Sequence, residues 1–172
     1  KRNEFESLFN ATKEQKREHV TRWLQILADE KLGGFAYPQV SDGDGDMGKF
    51  TTVFEALAMF EQSLVVKFGV QFGLFGGSIL FLGSERHREE YLEDIANLDL
   101  LGGFAMSERG HGSNVRNLET KAVYDRETDE FVIDTPSESA KKVYIGNAAR
   151  DGQMFTVFAQ LEVGSETYGV HP

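Results

Sequence analysis

The hydrophobic pattern changes period once, near Leu100, and that change restricts the chain to an architecture of two unlike parts. Before it, apolar residues recur at three-and-four spacing. Residues 13–32 carry Val20, Trp23, Leu24, Ile26 and Leu27 among charges, which predicts an amphipathic helix with Thr12 and Gln15 as a capping pair and Gly33-Gly34 as its stop. Residues 50–67 keep the period through Phe54, Leu57, Ala58, Glu61 and Leu64, with Thr51 or Thr52 as the starting residue, and residues 68–82 follow as a second apolar helix. Residues 84–97 place Tyr91, Leu92, Ile95 and Ala96 on one face and charges on the other, a surface helix. After Leu100, residues 103–106, 119–124, 130–134 and 154–163 are short β-branched or aromatic runs separated by turn residues, with 125–129 as a hairpin loop. The expected fold class is α+β, a helical domain over residues 1–100 leading into an antiparallel β domain over residues 101–172.

Composition narrows the chemistry. Lys+Arg 18 against Asp+Glu 28 leaves a net charge of −10, which argues against nucleic acid as the main partner because affinity for phosphate backbones comes from clustered cations. The chain has no cysteine, so disulfides, thiol nucleophiles, Fe–S clusters and cysteine-bound zinc are excluded, and any redox chemistry requires a cofactor. The longest apolar stretch, residues 68–82, is interrupted by Gln71 and glycines and is shorter than the ~20 residues a bilayer span needs. It is expected to be a buried helix, with no membrane span. A start on Lys1 and a stop at Pro172 read as part of something longer.

Several tempting motifs do not hold. The alternating aspartates of Ser41-Asp42-Gly43-Asp44-Gly45-Asp46 invite comparison with a calcium loop, but counting from Asp42 the sixth position is Met47, where the turn needs Gly, and the twelfth is Val53, where a bidentate Glu belongs. His19, His87, His111 and His171 show no metal-ligand spacing, so no metal site is expected. Ser107, Ser113, His111 and Glu108 lack the strand–elbow–helix signature of a hydrolase. The glycines at 69, 73, 76 and 77 recur at near-helical spacing and admit either close helix packing or a flat ligand. The unusual segment is Phe104-Ala105-Met106-Ser107-Glu108-Arg109-Gly110-His111-Gly112-Ser113-Asn114, where a strand ends and glycines alternate with polar residues, exposing N–H groups and hydroxyls to a ligand.

That segment resembles the T-E-x-G-H-G-S motif of the acyl-CoA oxidases, the oxygen-using branch of the acyl-CoA dehydrogenase flavoproteins. Three further stretches are similar in the same order: Leu118-Glu119-Thr120-Lys121-Ala122-Val123-Tyr124-Asp125, Phe131-Val132-Ile133-Asp134-Thr135-Pro136 and Phe158-Ala159-Gln160-Leu161. In the helical half, residues 65–77 and Leu82-Gly83-Ser84-Glu85-Arg86-His87 also look like the family's amino-terminal domain. The resemblance implies a β-barrel-like middle domain, a chain ending before the carboxy-terminal helical domain, and FAD as cofactor. Phe104, Met106, Ser107 and Gly112 would then lie along the flavin, Ser107 taking the place of a threonine whose hydroxyl bonds the isoalloxazine, and Ser113 would contact the acyl-CoA. The second flavin segment is Lys142-Val143-Tyr144-Ile145-Gly146-Asn147, where Tyr144 replaces a tryptophan that packs on the flavin and Ile145 follows it. Gly146 stands where oxidases have glycine and dehydrogenases a hydroxyl residue, while Asn147 is the dehydrogenase-like choice.

The reaction so implied is α,β-dehydrogenation of a fatty acyl-CoA, with the β hydride passing to FAD and O₂ reoxidising it to give hydrogen peroxide. The base in that family is a glutamate of the carboxy-terminal domain, so no catalytic base is assigned within residues 1–172, and Glu108 and Glu119 are not promoted to that role. The resemblance further implies a homodimer in the full-length protein. The Tyr-Ile-Gly-Asn variant favours a bacterial cytoplasmic setting, with the peroxisome expected in a eukaryote. Two alternatives stay open, a dehydrogenase that passes electrons to an electron-transfer flavoprotein and a non-catalytic acyl-CoA-binding scaffold.

Overall fold

Thr12 and Gln15 start the first helix as a reciprocal pair: the Thr12 amide donates to Gln15 Oε1 at 2.8 Å and the Gln15 amide to Thr12 Oγ1 at 3.3 Å. The computed structural model describes Phe5, residues 8–38, Val40 and residues 43–172, and the chain divides into two units, residues 1–102 and 103–172.

In the first unit, α1 is Lys13–Asp29, α2 Met47–Phe60, α3 Gln62–Phe68, α4 Gly76–Leu82 and α5 Glu85–Asn97. The apolar stripe of α1 buries Val20, Trp23, Leu24 and Leu27 against α3 and α5, which contribute Leu64, Phe68, Leu92 and Ile95. The Trp23 ring stacks on Phe5 at 5.5 Å and meets Phe60 edge-on at 5.6 Å. α1 ends three residues before the expected stop, at Asp29, because Lys31 turns left-handed, with φ 63°. Gly33 serves packing instead, since a Cβ there would come within 2.4 Å of the Phe72 ring.

The expected helix over 50–67 begins earlier and is broken. Asp46 caps α2, accepting from the Lys49 amide at 3.0 Å, while the Thr51 and Thr52 hydroxyls donate back to the Met47 and Gly48 carbonyls. Glu61 is extended (φ −150°, ψ 115°), and its side chain caps α3 through the Ser63 amide. Asp44 pairs with Lys49 and accepts from the Asp46 amide, so the aspartate turn is satisfied by the chain itself. Ser41 and Asp42, the start of the calcium-loop comparison, lie outside the described residues.

Helices α3 and α4 are joined by a π-helical segment, Gly69–Phe75, into one helical run from Gln62 to Leu82. At 21 residues this run is long and apolar enough, by length and composition, to cross a membrane, longer than the stretch read from the sequence. Its middle argues for a protein interior: Gln71 is fully buried, its Nε2 donating to Leu100 O at 2.8 Å and Ile95 O at 3.3 Å and its Oε1 accepting from the Gly102 amide at 2.9 Å. A buried amide satisfied by neighbouring backbone belongs to a folded core.

Six strands follow, β1 Gly102–Ala105, which begins at the last residue of the first unit, and in the second unit β2 Lys121–Asp125, β3 Glu130–Asp134, β4 Met154–Val157, β5 Ala159–Val163 and β6 Glu166–His171. β1 pairs with β4, and the others form a sheet in the order β3-β2-β5-β6. The β2–β3 hairpin is antiparallel, Lys121 facing Asp134 and Asp125 facing Glu130, but β2 and β5 are parallel, with Lys121 opposite Gln160. The sheet is therefore mixed, which corrects the expectation of a wholly antiparallel β domain. A parallel pair requires a long crossover, which the chain between residues 135 and 158 supplies. The run 154–163 splits at Phe158, whose amide donates to Ala105 O at 3.1 Å, because its two halves join different sheets.

Candidate functional site

Two stretches singled out in the sequence, 104–113 and 142–147, meet along a short antiparallel ladder. The Val143 amide donates to Ser107 O at 3.1 Å, Arg109 N to Lys141 O at 2.9 Å and Gly110 N to Ser139 O at 2.8 Å, with Glu108 and Lys142 directly paired. The turn between them closes on itself through reciprocal 3.1 Å bonds between Glu108 and His111.

Each proposed residue has a definite place. Phe104 is half-buried, its ring 4.8 Å from that of Phe158. Met106 and Ser107 are half-buried at the exit of β1, and the Ser107 hydroxyl has no hydrogen-bond partner among the described residues. Gly112 and Ser113 are exposed, and a Cβ on Gly112 would meet nothing within 4 Å. Tyr144 is 97% exposed, Ile145 half-buried and Gly146 exposed. Tyr144 and Asn147 both sit in the left-handed region, at φ 59° and 66°. That conformation is costly for a tyrosine and marks a segment over-determined by its surroundings. The Asn147 carbonyl gathers the amides of Arg150, Asp151 and Gly152, closing the turn behind the segment.

Two carboxylates organise the ladder from below. Glu108, 2% exposed, accepts from the Glu119 amide at 2.7 Å, the Thr120 amide at 2.9 Å, the Thr120 hydroxyl at 2.6 Å and Lys142 Nζ at 3.2 Å. Burial works to raise its pKa, yet the donors together hold the carboxyl below its ordinary value. Lys142 is shifted down, mainly by burial and against the pull of Glu108. Glu119 accepts from Ser137 Oγ at 2.7 Å, Ser139 Oγ at 2.7 Å and His111 Nε2 at 2.8 Å. His111 is thus tied into a structural network, and neither serine of the rejected hydrolase constellation bonds it.

The hydroxyls of Ser137 and Ser139, followed by His111, lower the Glu119 pKa from 4.5 to about 2. A depressed carboxyl contributes stability that is complete above the unfolded value and is lost as pH falls through the folded one. The thermal midpoint of the β unit is expected to drop between pH 4.5 and about 2, and Glu119→Gln to flatten that limb; equal acid limbs for the two proteins would refute the network's role.

Sequence reasoning gave no role to Lys142, to Gly103 or to the burial of Glu108. Lys142 and Glu108 are 34 residues apart, with no periodic signal linking them. A β1 glycine immediately before the motif was the available hint: a Cβ at Gly103 would lie 2.7 Å from Gly146 O and 2.6 Å from the Phe155 ring. Among the described residues no group of His, Asp and Glu is placed to hold a metal.

A peroxisomal acyl-coenzyme A oxidase 2 of Arabidopsis thaliana is 47% identical over 73% of this chain and 19% of its own length. The crystal structure of acyl-CoA oxidase 3 from Yarrowia lipolytica superposes with a TM-score of 0.79 at 31% identity, over 94% of this chain and 22% of that one. Acyl-CoA oxidase-2 of Caenorhabditis elegans, described as bound with FAD, ascaroside-CoA and ATP, gives 0.59 at 26% identity, over 91% of this chain and 27% of that one. The chain thus spans roughly a fifth to a quarter of these relatives. The family described as acyl-CoA dehydrogenase, N-terminal domain, matches residues 2–99, and by that match over more than half of its length the chain belongs to the acyl-CoA dehydrogenase family.

Proposed function

We propose that this chain is the amino-terminal and middle-domain portion of an FAD-dependent acyl-CoA oxidase, which converts fatty acyl-CoA to trans-2-enoyl-CoA and reduces O₂ to hydrogen peroxide. The observation that carries the reading is the joining of segments 104–113 and 142–147 in one ladder, with an unpartnered Ser107 hydroxyl, an uncovered Tyr144 ring and open space at Gly112. These features fit a flat, heteroatom-edged ring system: a hydroxyl to bond it, an aromatic face to cover it, and glycine backbone that lets it approach.

FAD, when bound, supplies the hydride acceptor. Ser107 offers it a hydroxyl, Phe104, Met106 and Gly112 line its path, and Tyr144 and Ile145 cover it. Ser113 is assigned to the acyl-CoA. Gly146 has no side chain to fill the space beside its backbone, which leaves room for O₂. The family resemblance assigns the base for the α proton to a carboxy-terminal glutamate with no match in residues 1–172, and Glu108 and Glu119, engaged by backbone, hydroxyl, ammonium and imidazole partners, are not assigned that role.

Asn147 favours the dehydrogenase alternative only as a motif letter. Its left-handed φ explains the residue otherwise, since asparagine tolerates that conformation better than most side chains. The oxidase names of the relatives support the same preference, and the peroxisomal name of the plant relative supports the peroxisome as the compartment in a eukaryote. A homodimer of the full-length protein completes the proposal.

The test is the visible flavin spectrum of the full-length protein, titrated without air with an acyl-CoA and then opened to oxygen. Bleaching with prompt recovery and peroxide is expected. Bleaching that persists in air would make the protein a dehydrogenase, and the absence of flavin would leave the acyl-CoA-binding scaffold.

A further inference from the structure

Lys142 donates from a single ammonium to three acceptors in two stretches of chain that are remote from it in sequence. Its Nζ lies 3.0 Å from Met106 O, 2.7 Å from Phe158 O and 3.2 Å from Glu108 Oε1. An ammonium carries three protons, and all three are used. Its side chain is 15% exposed and that of Glu108 is fully covered, so the pair is largely withdrawn from solvent. Glu108 in turn holds the Glu119 and Thr120 amides at the entry to β2, and the Thr120 hydroxyl reaches on to Ala140 O at 3.3 Å. Directly after Lys142, the Val143 amide bonds Ser107 O. The turn that follows rests on bare backbone at Gly103, where a Cβ would collide with Gly146 O.

From this arrangement we infer that Lys142, paired with Glu108, is a positioning residue that sets the register of the Ser107 edge against the Tyr144–Gly146 edge. The inference rests on the reading that these two edges face the flavin. Charge-assisted bonds to two carbonyls and a carboxylate suit this task, because they are directional and because a buried ammonium has no alternative partner in solvent. The left-handed Tyr144, two residues on, is then held in place by the clamp beside it.

Lys142→Met in the full-length protein is the test. Amide hydrogen exchange is expected to accelerate roughly tenfold or more in residues 104–113 and 143–147, while the β2–β3 hairpin keeps its protection. The bound flavin is expected to dissociate roughly tenfold more readily and its visible band to shift. Lys142→Met leaves Glu108 as an uncompensated buried charge and can prevent folding, so Glu108→Gln/Lys142→Met is measured beside it. The double variant is expected to fold, yet to keep the fast exchange and the altered spectrum. Wild-type protection and an unshifted band in either variant would overturn the positioning role, as would a loss of protection spread evenly over the β unit. A wild-type protein that holds no flavin would overturn the reading beneath it, and the exchange pattern, which needs no flavin, separates that failure from a failure of the clamp.

Discussion

Replacing Gln71 with leucine is expected to destabilise the helical unit by about 2–5 kcal/mol, although the change adds apolar surface to a core. The side chains are of similar length, so packing changes little. What is lost is the amide's three bonds, to Leu100 O, Ile95 O and the Gly102 amide. The Ile95 carbonyl keeps the Leu98 amide as a partner, but Leu100 O and Gly102 N lose the bonds Gln71 gives them. Leaving a buried donor or acceptor unsatisfied costs about 1–3 kcal/mol each. The sole tryptophan, Trp23, lies in the same core, so urea unfolding followed by its fluorescence reads the effect directly. An unchanged midpoint would show that the backbone around residues 100–102 finds other partners.

Two adjacent glycines on the same helix should respond in opposite directions. At Gly76 an added methyl would sit 1.8 Å from the Tyr37 hydroxyl and 3.2 Å from Ile95 Cγ2. Tyr37 cannot yield, because it is fully buried and its hydroxyl donates to the Phe72 carbonyl. Gly76→Ala should therefore cost about 3 kcal/mol through overpacking. At Gly77 a methyl meets nothing within 4 Å, since the residue borders an apolar cavity of about 70 Å³ shared with Phe50, Gly73 and Leu80. Gly77→Ala should stabilise by about 0.5–1 kcal/mol, the ordinary gain of alanine over glycine in a helix. Denaturant midpoints of the two variants on either side of wild type would confirm this; two variants that shift the same way would mean that the helix is not seated as described.

The same glycines show how far a periodic pattern can be read. Their spacing left close packing and ligand contact both open, and the structure divides them: Gly69 and Gly76 are packed too tightly for a side chain, Gly73 is in ordinary contact with Phe50, and Gly77 is free. Nothing local distinguishes these positions, because the neighbour that decides each comes from another element. The break at Glu61 was hidden for a related reason. Its side chain caps the next helix only when the backbone is extended, and a residue of good helix propensity gives no sign of that.

In the candidate site the motif residues were legible and their supports were not. Ser107, Gly112, Tyr144 and Gly146 stand in recognisable order, and the structure brings their two segments together. Glu108 looked like one more polar residue of a glycine-rich turn until its four donors, drawn from two places in the chain, showed a buried anchor.

The sequence alone determined what depends on near neighbours: the change from helical to strand period near Leu100, the Thr12–Gln15 cap, the β2–β3 hairpin and the motif that points to a flavin site. Each follows from interactions within a few residues, which leave a periodic or positional trace. Tertiary structure alone decided the parallel pairing of β2 with β5, the burial of Gln71 and the clamp between Glu108 and Lys142. Those depend on groups 24 to 39 residues apart whose desolvation is compensated only once both partners are in place, and a partner chosen by three-dimensional closure leaves no period to read.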